Sequence, residues 1–263
     1  MESINWLNRT ELLFGADRIE ALKYKHVLVI GLGGVGAYAA EMICRAGVGR
    51  MTIADGDSVN LTNLNRQLVA LHSTIGKQKA EIMKQRLMDI NPELQLEIVP
   101  TYLKDESMVD LLKSHPYDYV VDAIDTLSPK IFLIYHSVNL GLKIVSSMGS
   151  GGRIDPTQVH IADIAQSYMC PLADVLRKRL HKLNIYTGVK VVFTPELLFE
   201  GSVQETHGEQ NKKSIVGTVS YMPPLFGCMI SSVVIRDLLG FEVKSDLPIP
   251  KAIAKKINDS LKI

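Results

Sequence analysis

The stretch from His26 to Gln67, HVLVIGLGGVGAYAAEMICRAGVGRMTIADGDSVNLTNLNRQ, constrains the fold more than any other part of the chain. Val27 to Ile30 is an apolar, largely β-branched run, which predicts a fully buried strand. It enters Gly31-Leu32-Gly33-Gly34-Val35-Gly36, and the alanine-rich segment from Gly36 to about Ala46 predicts a helix. In such a turn Gly31 permits a tight reversal, and Gly33 lets backbone N–H groups approach a phosphate. Gly36 lets the helix lie close on the strand. The helix N-terminus then faces the anion with its partial positive charge. A second strand, Arg50 to Ala54, delivers Asp55 at its C-terminal end, 19 residues beyond Gly36, where a carboxylate can hold a ribose hydroxyl. Strand, glycine turn, helix and acid in that order predict a nucleotide site rather than a merely structural turn.

The alternation continues along the chain. A helix is expected over residues 8–23, a polar loop over 56–66, and a helix from about Ile75 to Asp89 that Asn91-Pro92 stops. Strand Leu96–Val99, helix 105–114 and strand Tyr119–Ala123 follow. Pro129 then opens a helix to about Leu140, and strand Lys143–Ser147 leads into the flexible crossing Met148–Gly152. The second half is less regular. Strands are expected at 158–162 and 189–194, a helix from Pro171 to about Leu183, a mobile polar loop at 200–214 and a buried helix from about Leu225 to Leu239. This order predicts an α/β, doubly wound, largely parallel Rossmann-like sheet with a less regular C-terminal part.

With 46% hydrophobic residues, 263 residues can bury a substantial core in one large domain. A net charge of +1 gives no global attraction to polyanions, so any such role falls to local clusters. Two exist: Arg177-Lys178-Arg179-Leu180-His181-Lys182, and the tail from Lys251 to Lys262. Either reads equally well as a solvated helix face. Cys44, Cys170 and Cys228 form no CxxC pair, so neither a disulfide framework nor a structural zinc site is expected. Cys44 and Cys228 lie in apolar surroundings and read as packing, whereas Cys170, beside Pro171, is expected to be accessible. Residues 214–235 contain no charge, but Gly217, Pro223, Pro224 and Gly227 make a poor spanning helix, so no integral membrane segment is expected. The N-terminus carries no secretory pattern, and a cytoplasmic location is expected.

Simple dinucleotide binding does not account for the residues beyond Asp55. Asp55-Gly56-Asp57, then Thr62-Asn63-Leu64-Asn65-Arg66-Gln67, crowd amides, an arginine and a second acid together, and Lys79 opens the next helix. Asp122 and Asp125 sit at a later strand end, where open α/β sheets hold ligands. Arg66 and Lys79 suit a triphosphate, and Asp125 suits the Mg²⁺ that a triphosphate carries. Each has a plainer alternative. Asn63 and Asn65 suit Asx turns, Lys79 a solvated helix position, and Asp125 an N-cap near Ser128.

These motifs together resemble the ATP-adenylating superfamily of ubiquitin-activating E1 enzymes, over about residues 8–150. The resemblance implies an E1-like adenylation fold with residues 1–150 as the ATP-binding core. Residues 151–263 would be a substrate-binding and dimerisation part of the same domain. It implies ATP contacts from Gly31, Gly33, Gly34, Gly36, Asp55, Asp57, Asn63, Arg66, Lys79 and Asp125, with Asp125 positioning MgATP. Arg66, Lys79 and Asp125 would act in catalysis, together with Arg9 reaching across a homodimer interface into the partner's triphosphate. Members that bear zinc carry two CxxC pairs, absent here, and members that form thioesters or persulfides carry a crossover cysteine, whereas residues 190–215 contain none.

The second half is similar to one subfamily, the tRNA threonylcarbamoyladenosine dehydratases. The resemblance rests on Met148-Gly-Ser-Gly-Gly-Arg153-Ile-Asp155-Pro156-Thr157, Ile161-Ala-Asp163-Ile, Pro171-Leu-Ala, Leu176-Arg177-Lys-Arg179-Leu180 and Gly217-Thr-Val-Ser-Tyr-Met-Pro-Pro. It implies ATP-driven closure of the threonylcarbamoyl side chain on adenosine 37 of tRNA, and it leaves room for a sulfur-relay protein partner. Arg153, Arg177 and Arg179 are then expected to contact tRNA phosphates. One departure is Cys170, where that subfamily has aspartate before Pro-Leu. Three readings compete: adenylation of a ubiquitin-like sulfur carrier's C-terminus, an NAD-dependent oxidoreductase resting on the glycine turn and Asp55 alone, and a non-catalytic tRNA or sulfur-transfer scaffold, which the intact Arg66, Lys79 and Asp125 set disfavours.

Overall fold

A computed structural model of the chain describes residues 5–205, 214–245 and 247–248. The lysine-rich tail Lys251–Lys262 and residues 206–213 of the expected polar loop lie outside the described residues. Five strands arise in the first half: β1 (His26–Ile30), β2 (Arg50–Ala54), β3 (Gln95–Val99), β4 (Tyr119–Asp122) and β5 (Ile144–Ser147). With β6 (His160–Asp163) and β7 (Lys190–Phe193) they form a seven-stranded sheet among the described residues, ordered β3-β2-β1-β4-β5-β7-β6. All pairings are parallel except β6 with β7. Val27 sits between Met51 and Tyr119, so β1 is flanked by β2 on one side and β4 on the other. The chain runs outward in one direction through β2 and β3, then in the other through β4 and β5. The C-terminal ends of β1 and β4 therefore border the switch point, where such sheets hold their ligands.

Strands β1, β2, β4 and β5 are buried along nearly their whole length because helices cover both faces. One face is packed by α3 (Gly36–Arg45), α4 (Lys79–Ile90) and α8 (Met222–Leu238), with Ala39, Ile43, Met83, Phe226 and Ile230 in its core. The other is packed by α5 (Asp105–Ser114), α6 (Leu127–Asn139) and α7 (Pro171–His181), around Leu111, Leu133, Leu176 and Phe193. Helix α8 crosses α3 at Gly227, where an added Cβ would meet the Val35 carbonyl oxygen at 2.5 Å. The near-absence of charge along α8 is therefore the signature of a buried core helix. No helix among the described residues is long and apolar enough to cross a membrane.

Several elements differ from the sequence expectation. The single helix over 8–23 is two, α1 (Asn8–Phe14) and α2 (Ala16–Leu22), because Gly15 between them takes φ +90° and breaks the hydrogen-bond ladder. The helix expected from Ile75 begins at Lys79, after a bridge between Ser58 and Gln78 pins the preceding chain in extended form. Within the loop expected at 200–214, β8 (Val203–Glu205) pairs antiparallel with β9 (Ser214–Val216). The cysteines are also exchanged in role. Cys170 is buried, packed in the second core ahead of α7, while Cys228 is exposed, one position round α8 from the buried Gly227.

Candidate active site

The glycine turn has its shape because two neighbours leave no room for side chains. Gly31 takes φ +91°, and a Cβ there would lie 2.7 Å from the Ala123 carbonyl oxygen, so the turn runs tight against the end of β4. A Cβ on Gly36 would fall 1.7 Å from the Gly31 carbonyl oxygen, which fixes the start of α3 against the loop. At Gly33 the nearest atom to such a Cβ is the Gln67 amide nitrogen at 3.9 Å, leaving this side of the turn approachable. Gly34 is roofed by Pro223 at the start of α8, with the Arg66 stem at 3.5 Å.

Asp55 locks the turn to the end of β2. One carboxylate oxygen accepts the Leu32 N–H at 2.6 Å, and the other accepts the Asp57 N–H at 2.7 Å. Burial pushes its carboxyl upward, against the opposing pull of Lys79 and of these two N–H groups. Lys79, at the first position of α4, is buried and donates from Nζ to Asp57 at 2.8 Å. The backbone N–H of Lys79 also donates to the Asp57 carbonyl at 3.0 Å, so the two ends of the loop are stapled together. Arg66 is half-buried. Its Nη1 donates to the Thr62 carbonyl at 3.0 Å and to the Asn65 side chain at 2.8 Å. Burial lowers the Arg66 pKa, and the charge of Asp125 works in the opposite direction, which places that carboxylate in electrostatic reach.

Asp125 is exposed just past β4, and Thr126 rather than Asp125 occupies the N-cap of α6. Asn63 uses its side-chain oxygen locally, accepting the Asn60 N–H at 3.0 Å while Asn60 caps the same short turn. Asp122 is fully buried. It accepts from Lys130 Nζ at 2.7 Å and Ser146 Oγ at 2.6 Å, and from the Ile124 N–H at 3.1 Å, so it shapes the loop that carries Asp125.

The structure therefore brings the glycine turn, Asp55, Asp57, Arg66, Lys79 and Asp125 to one edge of the sheet. Arg9 is exposed on α1, and no hydrogen bond among the described residues ties it to its own chain's crevice. Arg179 is exposed on α7, and Arg177 turns back to the Ser167 hydroxyl and carbonyl. Arg153 lies in the interior, only 3% exposed, away from the surface position that contact with tRNA phosphates presumes. Sequence reasoning misses two residues. Tyr102, beyond β3, is exposed, and its hydroxyl donates to Asp57, which with burial pushes the phenol up to about 12. Lys130 is the buried partner of Asp122. Only the Lys130 position in a helix-opening turn offers a local hint, and nothing local marks Tyr102.

A half-buried carboxylate, two cations and an exposed acid thus lie around an approachable glycine turn at the strand ends, an arrangement that suits activation of a carboxylate with ATP, the chemistry of adenylating α/β enzymes. The chain belongs to the ThiF family, whose model matches residues 7–257. Within it, the chain is 37% identical over 243 residues to the tRNA threonylcarbamoyladenosine dehydratase of Bacillus subtilis, across 90% of this chain and 95% of that one. It is also similar to the crystal structure of the Escherichia coli tRNA N6-threonylcarbamoyladenosine dehydratase TcdA in complex with ATP. The TM-score is 0.80 and the identity 33%, covering 91% of this chain and 97% of that one. The same enzyme in complex with AMP gives a TM-score of 0.80 and 33% identity over 91% of this chain and 98% of that one.

Proposed function

We propose that this chain catalyses the ATP-dependent dehydration of N6-threonylcarbamoyladenosine at position 37 of tRNA through an adenylated carboxylate. The observation that carries the reading is the convergence of Asp55, Arg66, Lys79 and Asp125 around an approachable glycine turn. Similarity to dehydratases along most of both chains adds to it. The substrate carboxylate attacks the α-phosphate of ATP, and pyrophosphate leaves. A nitrogen or oxygen of the same side chain then attacks the activated carbonyl, and AMP departs with the former carboxylate oxygen. The net loss from the nucleoside is one water. The substrate supplies the ring-closing nucleophile, which fits a crossover, residues 190–215, without cysteine.

The enzyme's part is positioning and charge. Asp55 holds the ribose, the turn N–H groups meet the phosphates, and Arg66 and Lys79 offset the charge on the departing pyrophosphate. Lys79 is held by Asp57 in this structure, so nucleotide binding draws it from carboxylate to phosphate. No cluster of three His, Cys, Asp or Glu side chains suited to a metal occurs among the described residues. One exposed carboxylate, Asp125, suits Mg²⁺ that arrives on ATP and keeps waters of its own. When bound, the ion neutralises phosphate charge.

A homodimer belongs to the proposal. On α1, Leu12 and Leu13 are 83% and 74% exposed beside Arg9, an apolar face that a second copy would cover while carrying Arg9 into its neighbour's crevice. The α7 cations, with exposed Lys178 and Arg179, form the proposed path for the tRNA backbone. The reading implies action in the cytoplasm. The test is AMP and pyrophosphate release by the purified protein with tRNA bearing threonylcarbamoyladenosine, with the nucleoside mass followed in parallel. AMP formed in step with loss of water supports the proposal. ATP turnover indifferent to tRNA would replace it with activation of a carrier-protein C-terminus.

A further inference from the structure

Arg153 follows β5 and carries an unmet demand. Its side chain is buried, and neither Nε nor Nη1 has a hydrogen-bond partner among the described residues. The groups within electrostatic reach are Cys170 and, after it, Glu196, whose carboxylate is engaged by the Ile154 N–H at 3.0 and 3.2 Å and by the Asp155 N–H at 3.0 Å. Desolvation lowers the Arg153 pKa, as expected for a cation in the interior without a bonded anion. A charged group with unsatisfied donors in the interior costs stability, so its persistence points to a ligand.

The position is adjacent to the adenylation crevice. Strands β1, β4, β5 and β7 run parallel, so the glycine turn, Asp125, Arg153 and Glu196 all leave the same edge of the sheet. The turn bearing Arg153 also connects to Arg66 by a short path. A Cβ on Gly151 would lie 3.1 Å from Thr218 Oγ1, the Thr218 carbonyl accepts Asn65 Nδ2 at 2.9 Å, and Asn65 Oδ1 accepts Arg66 Nη1 at 2.8 Å.

We propose that Arg153 is the receptor for the substrate's reacting carboxylate, a small monoanion that enters the crevice and completes the two unmet donors. The inference rests on the dehydratase reading above. Backbone phosphates are met by exposed cations such as Arg179, not by a guanidinium in the interior. Glu196 already offsets part of the local charge, which suits a monoanion better than a phosphate dianion. Arg153 holds the carboxylate by hydrogen bonds while one of its oxygens attacks the α-phosphate, and no bond to Arg153 is made or broken.

The test uses the full chain with R153M, R153Q and R153K. R153M is expected to melt about 2 °C or more above the parent, since it removes an uncompensated buried charge. A lower melting temperature for R153M would mean a structural role and overturn the proposal. R153Q is expected to lower kcat/KM for modified tRNA about ten- to a hundred-fold, with ATP affinity unchanged and partial recovery in R153K. Unchanged turnover by R153Q would sink the carboxylate receptor while leaving the dehydratase reading intact. N-carbamoylthreonine, titrated by calorimetry with the non-hydrolysable ATP analogue present, should bind the parent but not R153Q, and its methyl ester should bind neither. If it binds in that way and modified tRNA is not dehydrated, the receptor stands and the dehydratase reading fails. Equal binding of inorganic phosphate, with weaker and less salt-dependent binding of unmodified tRNA by R153Q, would assign Arg153 to the backbone instead.

Discussion

Replacing Lys130 by methionine tests how the loop bearing Asp125 is held. Lys130 and Asp122 are both fully buried and 2.7 Å apart, and Asp122 also accepts from Ser146 and from the Ile124 N–H. Methionine fills a similar volume but leaves Asp122 as a buried carboxylate without its cation. Breaking such a pair from one side costs about 3–5 kcal/mol. Against a total stability of about 5–15 kcal/mol, that is a large fraction, and it is readily measured by urea unfolding followed by circular dichroism. The double variant D122N/K130M removes both charges, keeps one oxygen to accept the Ile124 N–H, and turns an amide N–H toward the Ser146 hydroxyl, which can accept it. Because no unpaired charge is left buried, it is expected to be more stable than K130M alone, with a coupling of about 1–3 kcal/mol. Because Asp122 sets the turn at Ile124, K130M should also weaken MgATP binding, measured by calorimetry. A K130M loss below about 1 kcal/mol, or a double variant losing the sum of the two single losses, would refute the argument that the pair acts as one unit.

Three further outcomes are expected from the same structure. G36A drives a Cβ into the Gly31 carbonyl oxygen at 1.7 Å, so it should abolish ATP binding and lower the melting temperature, both seen in one nucleotide-titrated thermal melt; an unperturbed melt would show that the turn yields. His26 bonds to Thr52 and lies near His115, and burial, followed by the charges of His115 and Arg50, drives its pKa down to about 4. The unfolded chain therefore takes up a proton between about pH 6.5 and 4 that the folded chain refuses, so this contribution is present above pH 6.5 and lost as pH falls through that window. H26Q should flatten that part of the pH dependence of urea stability, and an unchanged slope counts against it. L12D on the exposed face of α1 should yield monomers by light scattering and lose dehydration activity together; active monomers would remove Arg9 from the partner's site.

Much of the fold was legible because its signals are local. Val27–Ile30, the glycine turn and the alanine-rich helix announce themselves within twenty residues, and the α/β alternation follows from apolar periodicity. The residue types at Asp55, Arg66, Lys79 and Asp125 were legible for the same reason: each stands in or beside a short, chemically distinctive segment at the end of a strand or the start of a helix. Boundaries were less so, since the break at Gly15 and the delayed start of α4 depend on a left-handed backbone position and on the bridge from Ser58 to Gln78.

The sequence by itself determined the order of strands and helices, the glycine turn and the chemistry available at its rim, because each is encoded in neighbouring residues. Only the tertiary structure decided which groups share a microenvironment. Tyr102 reaches Asp57 across 45 residues, and Asn65 reaches Thr218 across 153. Cys170 and Cys228 exchanged their expected exposures according to which helix face met the sheet. Arg153, an unremarkable arginine in a glycine-rich crossing, became a buried cation with unmet donors. Burial and partnership are properties of packing between distant segments, and no local pattern carries them.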